Sequence, residues 1–119
     1  MELGKDLVAA SATPLILAIL AEGESYGYAI LKRIRALSQG ELEWSDGMLY
    51  PLLHRLGRLG YVTTEWRAPA AGRRRRYYVI TDEGRAALAD HQRQWVAVTR
   101  ALDGVWPGPG TLLTALGDA

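Results

Sequence analysis

Between Ser45 and Thr81 the apolar pattern changes period twice, and this limits the chain to few folds. Leu49, Leu52, Leu53, Leu56 and Leu59 recur every three or four residues, which puts them on one stripe of a helix. Gly60 closes that helix. Residues 61–67 (Tyr-Val-Thr-Thr-Glu-Trp-Arg) are β-branched and aromatic types that suit a strand, and residues 76–80 (Arg-Tyr-Tyr-Val-Ile) read as another. Between the strands lie Ala68-Pro69-Ala70-Ala71-Gly72 and a run of arginines, so the pair is a hairpin with a long basic tip. Thr81 then caps a last helix, with Asp82 and Glu83 favourable in its first turn.

Upstream, Thr13-Pro14 reads as a cap and first position for a helix from Pro14 to Ala21, and residues 3–12 as a preceding helix kinked at Pro14. Ser25 is the expected N-cap of a helix over 26–38, with Ala29 or Ile30, Ile34 and Leu37 as its stripe and Gly40 as its stop. Leu42 and Trp44 alternate with Glu41 and Glu43, which predicts a short extended connection. Ser45-Asp46 opens the leucine helix, and Pro51 predicts an irregular first turn. The order is helix, helix, helix, strand, strand, long helix. The predicted class is α+β, mostly α: a winged helix-turn-helix with a long C-terminal dimerisation helix. The expected domains are residues 1–81, the helix 82–106, and a loose tail 107–119 after Pro107-Gly108-Pro109-Gly110.

Charge distribution points to a partner. Net charge is only +1, yet His54–Arg76 holds seven of the fourteen basic residues (Arg55, Arg58, Arg67 and Arg73 to Arg76) against one acid, Glu65. Charge segregated in this way is the footprint of a phosphate binder. The chain has no cysteine, which fits a reducing cytoplasm and excludes disulfides and cysteine zinc sites. No secretion signal is visible, and the apolar stretch Pro14 to Ala21 is too short to span a bilayer. Two histidines and no nucleophile elbow, phosphate loop or dinucleotide fingerprint predict no enzyme, no metal and no cofactor.

Three features carry the expected chemistry. The outer face of the leucine helix shows Asp46, Gly47, Met48, Tyr50, Pro51, His54, Arg55 and Arg58, and a recognition helix places such side chains in the major groove. A solvated face is the plainer reading. The tip Gly72-Arg73-Arg74-Arg75-Arg76 would set two or three arginines on phosphates, since alternate strand residues point to opposite faces; the alternative is a solubilising turn. In the last helix Leu88, Trp95 and Leu102 repeat every seven residues with Val98 between them. A helix of about 30 Å outreaches a core this small, so the seam is expected to pair with a second copy, against simple core packing.

Four segments match a known pattern: residues 20–30 (Leu-Ala-Glu-Gly-Glu-Ser-Tyr-Gly-Tyr-Ala-Ile), 47–56 (Gly-Met-Leu-Tyr-Pro-Leu-Leu-His-Arg-Leu), 72–78 (Gly-Arg-Arg-Arg-Arg-Tyr-Tyr) and Thr-Asp-Glu-Gly at 81–84. Over residues 7–105 the chain resembles the PadR family of bacterial transcriptional regulators, in its short form with a single C-terminal helix. The resemblance implies a repressor that pairs its first and last helices in a homodimer on a pseudo-palindromic double-stranded operator. It implies DNA contacts at Tyr26, Tyr28, Met48, Tyr50, His54, Arg73 and Arg74, to which the charge pattern adds Arg55, Gly72 and Arg75. It also implies an effector site for a planar aromatic compound at Trp95, with Leu7, Ala10, Pro14, Ala18, Gln92 and Thr99. The chain departs from the family at Met48, where Ser is common, and at Pro14, inside the segment that would wall the effector site. A winged helix that binds protein instead of DNA is the rival expectation.

Overall fold

The computed structural model describes residues 2–68 and 72–106. Its elements are α1 (Lys5–Ala21), β1 (Ser25–Tyr26), α2 (Gly27–Leu37), α3 (Asp46–Arg58), β2 (Val62–Arg67), β3 (Arg75–Ile80) and α4 (Asp82–Val105). The strands form one antiparallel sheet in the order β1-β3-β2. The chain forms two compact units, residues 1–88 and 89–119, so the division falls inside α4, after Leu88. The expected tail, residues 107–119, and the loop residues Pro69 to Ala71 lie outside the described residues.

The core of the first unit takes Ile16, Leu17, Ile19 and Leu20 from α1, Ile30 and Ile34 from α2, and Leu49, Leu52, Leu53 and Leu56 from α3. Val62, Tyr78 and Ile80 close it from one face of the sheet, and Trp44 and Leu88 complete it. Strand pairing explains the sharing: Val62 stands opposite Ile80, and Tyr78 lies two residues along the same face. Leu59 ends the leucine stripe outside the core, exposed at the C-terminus of α3. Leu88, expected on the seam of the last helix, is 8% exposed and belongs to this core instead.

Two local expectations change in the N-terminal part of the chain. The helix α1 runs unbroken through Pro14, with Thr13 in its interior, where a cap was expected. Pro14 removes only the donor that would meet the Ala10 carbonyl, and burial of the following turns holds the helix together. The Thr13 hydroxyl has another use: it accepts a hydrogen bond of 3.3 Å from Arg55 Nη2 of α3. Ser25 is not a side-chain cap, because Ser25 and Tyr26 pair with Tyr78 and Tyr77 of β3 and α2 begins only at Gly27. The ladder satisfies this backbone better than one capping bond would. The stretch around Leu42 and Trp44 keeps the expected alternation without pairing as a strand: Glu41 and Glu43 are exposed, Leu42 is half-buried and donates its N–H to Ser38 Oγ at 2.9 Å, and the Trp44 ring drops into the core.

The turns explain the glycine punctuation. After α2 the left-handed residue is Gln39 (φ 53°), followed by Gly40 (φ 84°), and the Gly40 N–H reaches back to the Arg35 carbonyl at 2.9 Å. After α3, Gly60 takes φ 81° and the Tyr61 N–H meets the Leu56 carbonyl at 2.9 Å. That second turn is locked to the last helix. Thr81 Oγ1 donates to the Gly60 carbonyl at 2.6 Å and accepts the Gly84 N–H at 3.0 Å, as expected of a cap. Ser45 holds the cap position of α3 through its carbonyl, which accepts from Met48 and Leu49, and not through its hydroxyl. Pro51 sits within a continuous α3, so the irregular first turn is absent.

Candidate nucleic-acid interface

The exposed face of α3 divides into two flanks. Tyr50 and His54, one turn apart, look toward the sheet side; Met48, Pro51 and Arg55 look toward α1. On the first flank a groove of about 750 Å³ opens between α3, the start of α2 and the hairpin. It is lined by Tyr26, Gly27, Tyr28, Tyr50, Trp66, Gly72, Arg73, Arg74, Arg75, Arg76 and Tyr78. Thus Tyr26, Tyr28, Tyr50, Gly72, Arg73, Arg74 and Arg75 of the predicted site come together.

Three predicted residues stand apart. His54 lines a neighbouring groove of about 470 Å³ with Tyr50, Arg58 and Arg76. Met48 and Arg55 line an apolar groove of about 570 Å³ against Val8, Ala9 and Ala12 of α1. Arg55 is turned that way by its bond to Thr13. A seven-residue match in one groove was not legible residue by residue, because β1 pairing fixes where Tyr26 and Tyr28 stand.

Strand alternation sorts the paired residues of the hairpin, yet all four arginines from Arg73 to Arg76 line the one groove, where only two or three were expected on one surface, because the long side chains reach it from both faces. Arg67 and Arg75 are cross-strand neighbours on one face, and Trp66 and Arg76 on the other. The Arg75 guanidinium lies 4.4 Å from the Tyr26 ring centroid, and Tyr26 meets Tyr77 edge-on at 5.4 Å. Arg74 and Arg76 lie 5.2 and 5.8 Å from the Trp66 ring. Arg67 differs: it pairs with Glu24 and with Glu65 (2.6 Å) while lying over Tyr77. Among the described residues, none of the ion pairs involves Arg73 to Arg76. Arg74, Arg75 and Arg76 lie against rings, with no carboxylate paired to them among the described residues.

Tyr78 forms the floor. Burial pushes its phenol above the ordinary tyrosine value, partly offset by Arg76. It therefore remains a neutral hydroxyl beside the arginines at neutral pH. Among the described residues no group of three or more His, Cys, Asp or Glu side chains could hold a metal ion. No described helix is long and apolar enough to cross a membrane.

The sequence profile of the transcriptional regulator PadR-like family matches residues 16–90. The chain belongs to that family. The matched span runs from the buried end of α1 to the third turn of α4 and contains the whole groove. A PadR-like transcriptional regulator from Bacillus cereus superposes with a TM-score of 0.77 at 26% identity, over 88% of this chain and 100% of that one. A transcriptional regulator from Clostridium thermocellum gives 0.78 at 28%, over 87% and 100%. A transcriptional regulator from Mycobacterium tuberculosis is 41% identical over 68 residues, 57% of this chain and 63% of the relative.

In this PadR-like chain the winged helix-turn-helix is α2, α3 and the β2–β3 hairpin, followed by the long helix α4. Residues that sequence reasoning passed over now have places. Trp66 lines the groove opposite Arg76, which the arginine run had already marked, and only the strand register puts Trp66 on that side. Gly27 lies under the Tyr50 ring, and Gly84 lies against the Tyr61 carbonyl. Both glycines stood inside the recognised motifs, so a signal existed, but only the packing says what it means.

Proposed function

We propose that this PadR-like chain is a DNA-binding transcriptional repressor that acts as a homodimer on a pseudo-palindromic operator. The observation that carries the reading is the groove in which Tyr50 of α3 and four arginines of the wing converge with no carboxylate paired to those arginines among the described residues. Phosphates would enter between helix and wing, with Tyr50 and His54 toward base edges or phosphate and Tyr26 and Tyr28 at the uncapped start of α2. Met48 and Arg55 would act at the α1 side of the recognition helix.

The partner surface follows from the second unit. Val98, Leu102, Val105 and Trp106 expose 50, 37, 81 and 49% of their surface, an apolar strip that a second copy would cover. Trp95 is half-buried on the same helix. A planar aromatic effector would contact Trp95 and Gln92 of α4. Thr99 is 8% exposed and offers little surface for it. Such a ligand would release DNA by changing the spacing of paired recognition helices. A regulator of this kind works in the cytoplasm, where its DNA is.

The test is duplex binding across a salt series by the full chain and by the Arg73→Ala/Arg74→Ala variant. The variant is expected to bind about tenfold or more weakly at low salt, with a slope of log affinity against log salt shallower by up to about two phosphate contacts. An unchanged slope removes the wing from the interface. A wild-type chain that ignores duplex DNA but retains an acidic protein surface would favour a protein-binding winged helix.

A further inference from the structure

We infer that Trp66 is a positioning residue for nucleic acid: its indole seats Arg74 and Arg76 together at the mouth of the groove, holding both in place without neutralising either. The inference rests on the DNA-binding reading above. Trp66 stands directly opposite Arg76 in the β2–β3 register, and Arg74 comes to the same ring from the approach to β3. The indole is 56% exposed, a large apolar surface left in water on the side where the arginines gather.

The opposite face of the same hairpin shows the alternative arrangement. Arg67 is ordered by Glu24 and Glu65, and its charge is cancelled there. A ring orders a guanidinium differently. It attracts the cation through its quadrupole and contacts its flat face, which leaves in-plane N–H donors available to phosphate oxygens; Arg76 spends one of its donors, Nη2, on the Thr64 hydroxyl at 3.4 Å and keeps the others. Two guanidinium groups on one indole also repel each other. A phosphate placed between them would relieve that repulsion, so the arrangement is suited to a polyanion. Both arginines also carry much side-chain entropy, and a seat on the ring lowers what is lost when DNA orders them.

The experiment compares wild type, Trp66→Leu and Trp66→Phe on a mixed-sequence DNA duplex over a salt series. Thermal unfolding of each chain is measured alongside. Leucine keeps an apolar side chain but loses the ring face; phenylalanine keeps a ring. Trp66→Leu is expected to bind about fivefold to tenfold more weakly at low salt, with a salt slope shallower by one to two phosphate contacts. Trp66→Phe should stay within about threefold of wild type. In an Arg74→Gln/Arg76→Gln background, Trp66→Leu should have no further effect. Equal losses in Leu and Phe variants with the wild-type slope, or an undiminished Trp66→Leu effect in the double-glutamine background, would overturn the inference. Wild-type binding with an unaltered Trp66→Leu variant sinks this inference alone; no wild-type binding sinks the DNA reading as well.

Discussion

The hydroxyl of Tyr50 occupies the space in which a β-carbon on residue 27 would stand. Gly27 is therefore required by packing, and not by backbone conformation. It lets the first turn of α2 and the recognition helix α3 approach closely at the groove, and it sets where the Tyr50 ring points. Tyr50 is 44% exposed, so the ring can move if it is pushed.

That mobility sets the expected result for Gly27→Ala. The added methyl should swing Tyr50 aside at a small cost in stability, about 1 kcal/mol or less, because the obstructing atoms are the far end of a side chain. Duplex affinity should fall about tenfold, because a phosphate or base contact is misplaced. Equilibrium unfolding and DNA titration of the same protein separate the two effects. A large loss of stability with unaltered affinity would show that Tyr50 takes no part in binding.

Gly84→Ala should behave in the opposite way. A β-carbon there would meet the Tyr61 carbonyl, which belongs to the backbone, and Ile80 Cγ1 at 2.7 Å. The Tyr61 carbonyl also accepts the Thr81 N–H, so it cannot retreat freely. Urea unfolding should show a loss of about 2–3 kcal/mol. A variant as stable as wild type would mean that the Thr81 lock is looser than the geometry indicates.

The link between α1 and α2 should be pH-dependent. Arg33 Nε and Nη2 donate to the two Glu22 carboxylate oxygens at 3.0 and 2.7 Å. This bidentate bond from Arg33 holds the Glu22 carboxyl below the ordinary glutamate value. The folded value lies below the unfolded one. The stabilisation is thus complete above the unfolded value and is lost as pH falls through the folded one. In Glu22→Gln the fall of melting temperature on acidification should be shallower than in wild type, and the difference should shrink with added salt. Parallel curves at low salt would remove this pair from the acid response.

Much of the candidate site could be read before any fold was known, but unevenly. The wing arginines and Tyr50 stood out because charge run and leucine period are local. Arg55 stood out for the same reasons, yet it turns toward Thr13, more than forty residues away in sequence. Trp66 looked like an ordinary strand residue, since nothing local says which face of a hairpin will border a groove.

By itself, the sequence determined the order of helices and wing from α2 to α4, the leucine face of α3, the Gly60 stop and the Thr81 cap. Each depends on residues within one or two turns of one another, where period and backbone chemistry suffice. The tertiary structure alone decided that Ser25 and Tyr26 join β3, that α1 runs through Pro14 and that Leu88 enters the core. It also decided that a ring, and not a carboxylate, holds Arg74 and Arg76. In each case the deciding partner is distant along the chain or set by cross-strand register. The hydrogen bonds, burial or ring contact it supplies outweigh the local preference.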